Sequence, residues 1–115
     1  MAEPRRVRRV LFVCHYNRRR SATAERVFAK RADLEVRSAG TSEDALVRIN
    51  RHMLAWADLI FVMDDKQREA LDRLFPGDPA LARLICLQIP DEYQFLDDEL
   101  VRLLENRVAP HLQQG

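Results

Sequence analysis

With 115 residues the chain fits one domain, 1–115, and a composition 47% apolar and 32% charged, with three glycines and five prolines, excludes collagenous and low-complexity proteins. No apolar run approaches the ~20 residues that span a membrane, and two cysteines, Cys14 and Cys86, exclude a disulfide framework or a Cys-based zinc site. The formal net charge is +1, yet residues 1–31 hold ten Arg or Lys against two acids, a segregation that predicts a local positive field able to concentrate an anion.

Val7–Cys14 is predicted as a strand, since Val10, Leu11, Phe12 and Val13 form the unbroken apolar run of a parallel strand covered on both faces. A polar stretch, His15–Arg20, follows. Ser21 fits the N-cap of a first helix running to about Ala32, with Glu25 near the capping-box position. Leu34–Ser38 reads as a second strand ended by Ala39-Gly40. Thr41 or Ser42 is expected to cap a second helix with Glu43 and Asp44 in its first turn. Leu46, Ile49, Met53, Leu54 and Ala57 would be its apolar stripe, and Trp56 falls near its end, as core.

Leu59–Met63 reads as a third buried strand, and Asp64 or Asp65 caps a third helix carrying Ala70, Leu71, Leu74 and Phe75. Pro76-Gly77-Asp78-Pro79 breaks the chain. Leu84–Ile89 is a fourth strand ended by Pro90, and Asp97 and Asp98 open a last helix up to Pro110. The alternation implies an α/β fold: a four-stranded parallel sheet with helices on both faces and right-handed crossovers.

Such sheets bind ligands beyond the carboxyl ends of their strands. Two segments with reactive residues emerge there, Cys14–Ser21 and Asp91–Tyr93. In the first, a thiol ends the strand, an arginine stands six residues on, and a helix begins at once. A loop of this length can curl its backbone N–H groups of His15, Tyr16, Asn17, Arg18 and Arg19 into an anion nest. Arg20 adds a planar two-pronged donor. The same field lowers the pKa of a thiol, which points to nucleophilic attack on phosphorus. Ser21 can donate to the sulfur, and Asn17 can brace the loop, against Ser38.

This stretch resembles the low-molecular-weight protein tyrosine phosphatases, through Cys14, Asn17, Arg20, Ser21 and the following Ala24-Glu25. Val36-Arg37-Ser38-Ala39-Gly40-Thr41 is similar to that family's second strand and turn, Ile60-Phe61-Val62-Met63-Asp64 to its third strand, and Ile89-Pro90-Asp91-Glu92-Tyr93 to its general-acid loop. The likeness spans nearly the whole chain, with a large deletion after Thr41. It implies a phosphate-binding loop after the first strand and a metal-independent phosphomonoesterase without cofactor, acting through a phosphocysteine. Cys14 would be the nucleophile, Arg20 and the loop N–H groups the holders of the phosphoryl oxygens, Asp91 the general acid, and Tyr93 a wall of the entrance. A phosphorylated protein or small aryl phosphate would be substrate and inorganic phosphate the product.

The sequence departs from the family at named places. Tyr16 stands where a glycine is usual, Arg19 where a second cysteine is frequent, Ala22 where a proline follows the serine, and Glu92 after the general acid. Arg18 and Arg19 read as exposed charges with a steering role, and His15 as a donor or a solvated loop residue. His52 and His111 lack a second ligand at helical spacing, so no metal is expected. No nucleic-acid partner is expected, for want of interleaved aromatics, and no membrane; the chain reads as soluble and cytoplasmic. Two other function classes remain open. One is a non-catalytic anion-binding regulatory module. The other is an arsenate reductase-like thiol enzyme, which needs Cys86 as its resolving cysteine.

Overall fold

The computed structural model describes residues 7–112; Arg5 and Arg6, read as a solvated basic tail, lie outside them. Four parallel strands form one sheet in the order β2-β1-β3-β4. They are β1 (Arg8–Cys14), β2 (Leu34–Gly40), β3 (Leu59–Val62) and β4 (Leu84–Cys86). The central strand β1 pairs with β2 from Arg8↔Leu34 to Cys14↔Gly40 and with β3 from Val10↔Leu59 to Val13↔Val62.

Alternation along β1 divides the core. Val10, Phe12 and Cys14 face α1 (Arg20–Phe28) and α4 (Asp98–Leu112), where they pack with Ala24, Leu100 and Leu104. Leu11 and Val13 face the opposite layer, with α2 (Arg51–Trp56) and α3 (Asp65–Leu74), where they meet Leu54 and Leu71. A strand buried on both faces has no reason to alternate apolar with polar residues, which is why its sequence reads as a continuous run. Between β2 and β3 the chain crosses to the far side of β1, so the end of β1 is the switch point of the sheet, where a crevice opens.

Five expectations are corrected. The second helix does not begin at Thr41 or Ser42. It starts at Arg51, where Asn50 accepts from the Met53 N–H at 2.9 Å, and residues 41–50 form a non-helical strap. Ser21 is not the cap of α1: Arg19 occupies that position, without a side-chain cap, and Ser21 lies inside the helix with its hydroxyl turned to the sulfur. That helix also stops at Phe28 rather than near Ala32.

The fourth strand ends at Cys86, because Gln88 turns to a φ of 57°. Leu87 and Ile89 nevertheless still donate to Val62 and Met63, at 2.9 and 2.7 Å. The last helix runs through Pro110 to Leu112, whose buried side chain joins the core and whose carbonyl accepts from Arg8 Nη1 at 3.1 Å. The cap of α3 is Asp64, in a full capping box with Gln67. Trp56 is half-buried against the core, with the Arg37 guanidinium 4.3 Å from its ring centre.

Candidate active site

Cys14 ends β1 with its side chain only 3% exposed. Its sulfur accepts from the Asn17 backbone N–H at 3.2 Å and lies 3.0 Å from Ser21 Oγ. Asn17 Nδ2 donates to that same Ser21 oxygen at 2.8 Å and to Ser38 Oγ at 2.9 Å. With its lone pair engaged by the amide, the Ser21 hydroxyl proton is left for the sulfur or for the Ala39 carbonyl, 3.4 Å away. The Ser38 hydroxyl in turn donates to Glu25 Oε1. A polar chain thus runs Glu25, Ser38, Asn17, Ser21, Cys14, every link satisfied.

The loop conformation depends on Asn17. It has a φ of 59°, and asparagine tolerates this left-handed region better than most residues. Tyr16 is not among the positive-φ residues, so a side chain at that position adds no left-handed strain. The first amides of α1 lack intrahelical acceptors by geometry. Neither a side-chain cap nor an acid in the first turn neutralises them. The helix end therefore keeps its polarity for an anion.

Arg20 is 3% exposed and held on two sides. Its Nη1 donates to Asp64 Oδ2 at 2.9 Å and to the Ile89 carbonyl at 2.7 Å, while Nε lies 3.7 Å from Asp91 Oδ1. Burial pushes the Asp64 carboxyl up, but the hydrogen bonds from Arg20 and the Lys66 amide, with the Arg20 charge, outweigh it and hold Asp64 below the usual carboxylate range. Asp91 is half exposed, at 53%. With Cys14, His15, Tyr16, Arg18, Arg19 and Arg20 it lines a cavity of about 120 Å³. An adjoining groove of about 490 Å³ shares His15, Arg20 and Asp91 and runs along α3 past Lys66, Glu69 and Arg73.

Cys14, Arg20 and Asp91 thus line one cavity at the carboxyl end of β1. Residues 9–57 match the family model of low molecular weight phosphotyrosine protein phosphatase. The fold is that of the low-molecular-weight phosphatases. The Streptococcus pyogenes low molecular weight protein tyrosine phosphatase SP-PTP superposes with a TM-score of 0.78 at 17% identity, over 95% of both chains. The tyrosine phosphatase Wzb from Escherichia coli K30, solved in complex with phosphate, gives 0.75 at 20% identity, over 95% of this chain and 99% of that one. The YwlE arginine phosphatase from Geobacillus stearothermophilus gives 0.72 at 22% identity, over 92% and 93%. No curated protein matches the sequence.

Within this phosphatase fold the strap 41–50 braces the loop from outside. Thr41, Ser42 and Leu46 donate to the carbonyls of Cys14, His15 and Tyr16 at 3.0, 3.0 and 3.1 Å. Gly40 sits under the strap. A Cβ there would lie 2.5 Å from the His15 carbonyl oxygen and 2.6 Å from Ala45 Cβ, so only glycine permits this approach. Strap amides find acceptors on the loop instead of in helical turns, and Leu46, expected on a buried stripe, is 62% exposed.

The Asp91 loop is tied to α1 at both ends. Arg20 holds the Ile89 carbonyl, and Thr23 Oγ1 accepts from the Leu96 N–H at 2.9 Å. Tyr93 lines neither cavity; it packs against the core layer of α1 and α4. Cys86 is half-buried on the opposite face of the sheet from Cys14, two strands away. Burial, and Asp65 at 3.5 Å from its sulfur, push its thiol up. A disulfide needs Cβ atoms about 4 Å apart, so this placement gives Cys86 no route to a resolving role.

Sequence reasoning missed Asp64 as an arginine anchor, Thr23 as a loop tether and the strap. Asp64 was visible only as a helix cap, and nothing in the sequence marks a carboxylate for a distant guanidinium.

Proposed function

We propose that this protein is a metal-independent, cysteine-dependent phosphomonoesterase of the protein tyrosine phosphatase type, working through a phosphocysteine. Arg20 and the open amides of the loop hold the phosphoryl oxygens, a preorganised positive field. Cys14 attacks phosphorus, forming an S–P bond as the P–O bond to the leaving group breaks. Asp91 gives that oxygen its proton. It then takes a proton from water, whose oxygen attacks phosphorus while the S–P bond breaks. The Ser21 hydroxyl steadies the returning thiolate, and inorganic phosphate leaves.

The observation that carries this reading is the sulfur held between the Asn17 N–H and the Ser21 hydroxyl in the same cavity as Arg20. The substrate class is a phosphorylated protein or small aryl phosphate. The edge-on pair of His15 and Tyr16, ring centres 4.2 Å apart, offers an aromatic leaving group a surface at the mouth. A working free thiol fits the reducing cytoplasm. Hydrolysis of an aryl phosphate by the purified protein is expected to be blocked by vanadate and indifferent to chelators. It should vanish in Cys14→Ser and slow by about 10²–10⁴-fold in Asp91→Asn, the share of a general acid. Equal turnover by wild type and Cys14→Ser would overturn the reading.

A further inference from the structure

The cavity over Cys14 carries more positive charge than one phosphoryl group needs. Arg20 is buried and engaged by Asp64, Ile89 and Asp91. Arg18 and Arg19 are different: both are exposed and both line the cavity. Among the described residues neither guanidinium has a hydrogen-bond or ion-pair partner, and Arg19, at the N-cap position of α1, makes no side-chain cap. The one carboxylate lining the same cavity is Asp91, which faces Arg20. Two guanidinium groups without a counter-charge at one cavity raise its positive potential, which a bound anion lowers.

Resting on the phosphomonoesterase reading, we propose that Arg18 and Arg19 form a second anion subsite at the rim, selecting phosphopeptides with another negative group next to the phosphoryl-bearing residue. A cavity of about 120 Å³ is filled by the phosphoryl group and the start of its side chain. A neighbouring carboxylate or second phosphoryl group therefore meets the rim, and with it Arg18 and Arg19. Asp91, followed by exposed Glu92, makes the other side of the mouth acidic. The two sides orient the peptide and disfavour a basic residue beside the arginines only by leaving them unpaired, so acidic peptides gain more than basic ones lose. Both sources of the second anion, an acidic side chain or a second phosphate, share this chemistry.

The test uses the whole protein and four phosphotyrosine peptides that differ only beside the phosphotyrosine: neutral, glutamate-flanked, doubly phosphorylated and lysine-flanked. Exposed charge contacts are worth a factor of up to about five each. The acidic peptides should exceed the neutral one in kcat/KM by about five- to ten-fold at low salt, and the preference should fade as ionic strength rises. In Arg18→Ala/Arg19→Ala the ratio of acidic to neutral should fall to near one and lose its salt dependence. Arg18→Lys/Arg19→Lys should restore much of both, which a merely structural role would not produce. Preference for the doubly phosphorylated peptide alone assigns the subsite to phosphate; preference for both assigns it to charge. A wild-type ratio near one, or a preference that survives the alanine variant, overturns the subsite while leaving the phosphatase reading intact. Failure to hydrolyse any peptide or a small aryl phosphate overturns both.

Discussion

Arg20 Nη1 and Asp64 Oδ2 meet at 2.9 Å, and the same carboxylate caps α3 through the Lys66 N–H. One side chain therefore fixes both the arginine of the site and the start of the helix that walls its groove. Asp64→Ala removes both contacts at once. Loss of a cap costs about 1 kcal/mol, and loss of the nearer of the two carboxylates facing the buried guanidinium adds to it, so stability should fall by about 2–4 kcal/mol in denaturant unfolding. Asp64→Asn keeps one of the two acceptor oxygens, for either the Lys66 N–H or Arg20, and should lose less than the alanine variant. Misplacement of the arginine by about 1 Å is expected to lower kcat/KM by up to about 10²-fold in the alanine variant.

The same pairing sets a pH dependence. The Asp64 carboxyl is lowered in the folded protein despite its burial, because Arg20 and the Lys66 amide stabilise the charged form. A group lowered on folding binds more protons when unfolded, so its contribution is fully present above the ordinary aspartate range and is lost as pH falls below about 4. Wild type should therefore lose stability more steeply than Asp64→Asn across that acidic interval. Parallel curves for the two proteins would show that the pair contributes nothing.

Gly40→Ala places a methyl group 2.5 Å from the His15 carbonyl and 3.0 Å from the Asn17 N–H, both backbone. Forcing the strap and loop apart should cost about 1–3 kcal/mol. Because Asn17 donates to the sulfur, turnover should fall more than global stability does. Steady-state kinetics on protein verified as folded by circular dichroism checks this.

Asn17→Ala removes the amide that bridges Ser21 and Ser38 and puts alanine at a φ of 59°. Stability should fall by about 2 kcal/mol from strain and lost hydrogen bonds. Glycine at the position relieves the strain without restoring the bridge. Asn17→Gly should thus regain stability relative to alanine but not activity, and recovery of both would assign the residue a backbone role alone.

What the sequence disclosed follows from how each feature is encoded. The central strand was legible because burial on both faces leaves an unbroken run, Val10 to Val13. The loop was legible because Cys14, Asn17, Arg20 and Ser21 lie within one short stretch whose spacing fixes their contacts. Residues 41–50 were not: their apolar spacing mimics a helix, yet their N–H groups are taken by the loop carbonyls and by the Gly40↔Arg48 bridge. Long-range partners such as Arg20 with Asp64, 44 residues apart, depend on strand order, which no local pattern records.

The most direct test of the account is mass spectrometry of acid-quenched protein after brief mixing with an aryl phosphate. One phosphoryl group is expected on the peptide containing Cys14, accumulating further in Asp91→Asn with a fast leaving group and absent in Cys14→Ala. Continued turnover with no phosphoryl group on that peptide, or with the group on another residue, would contradict it.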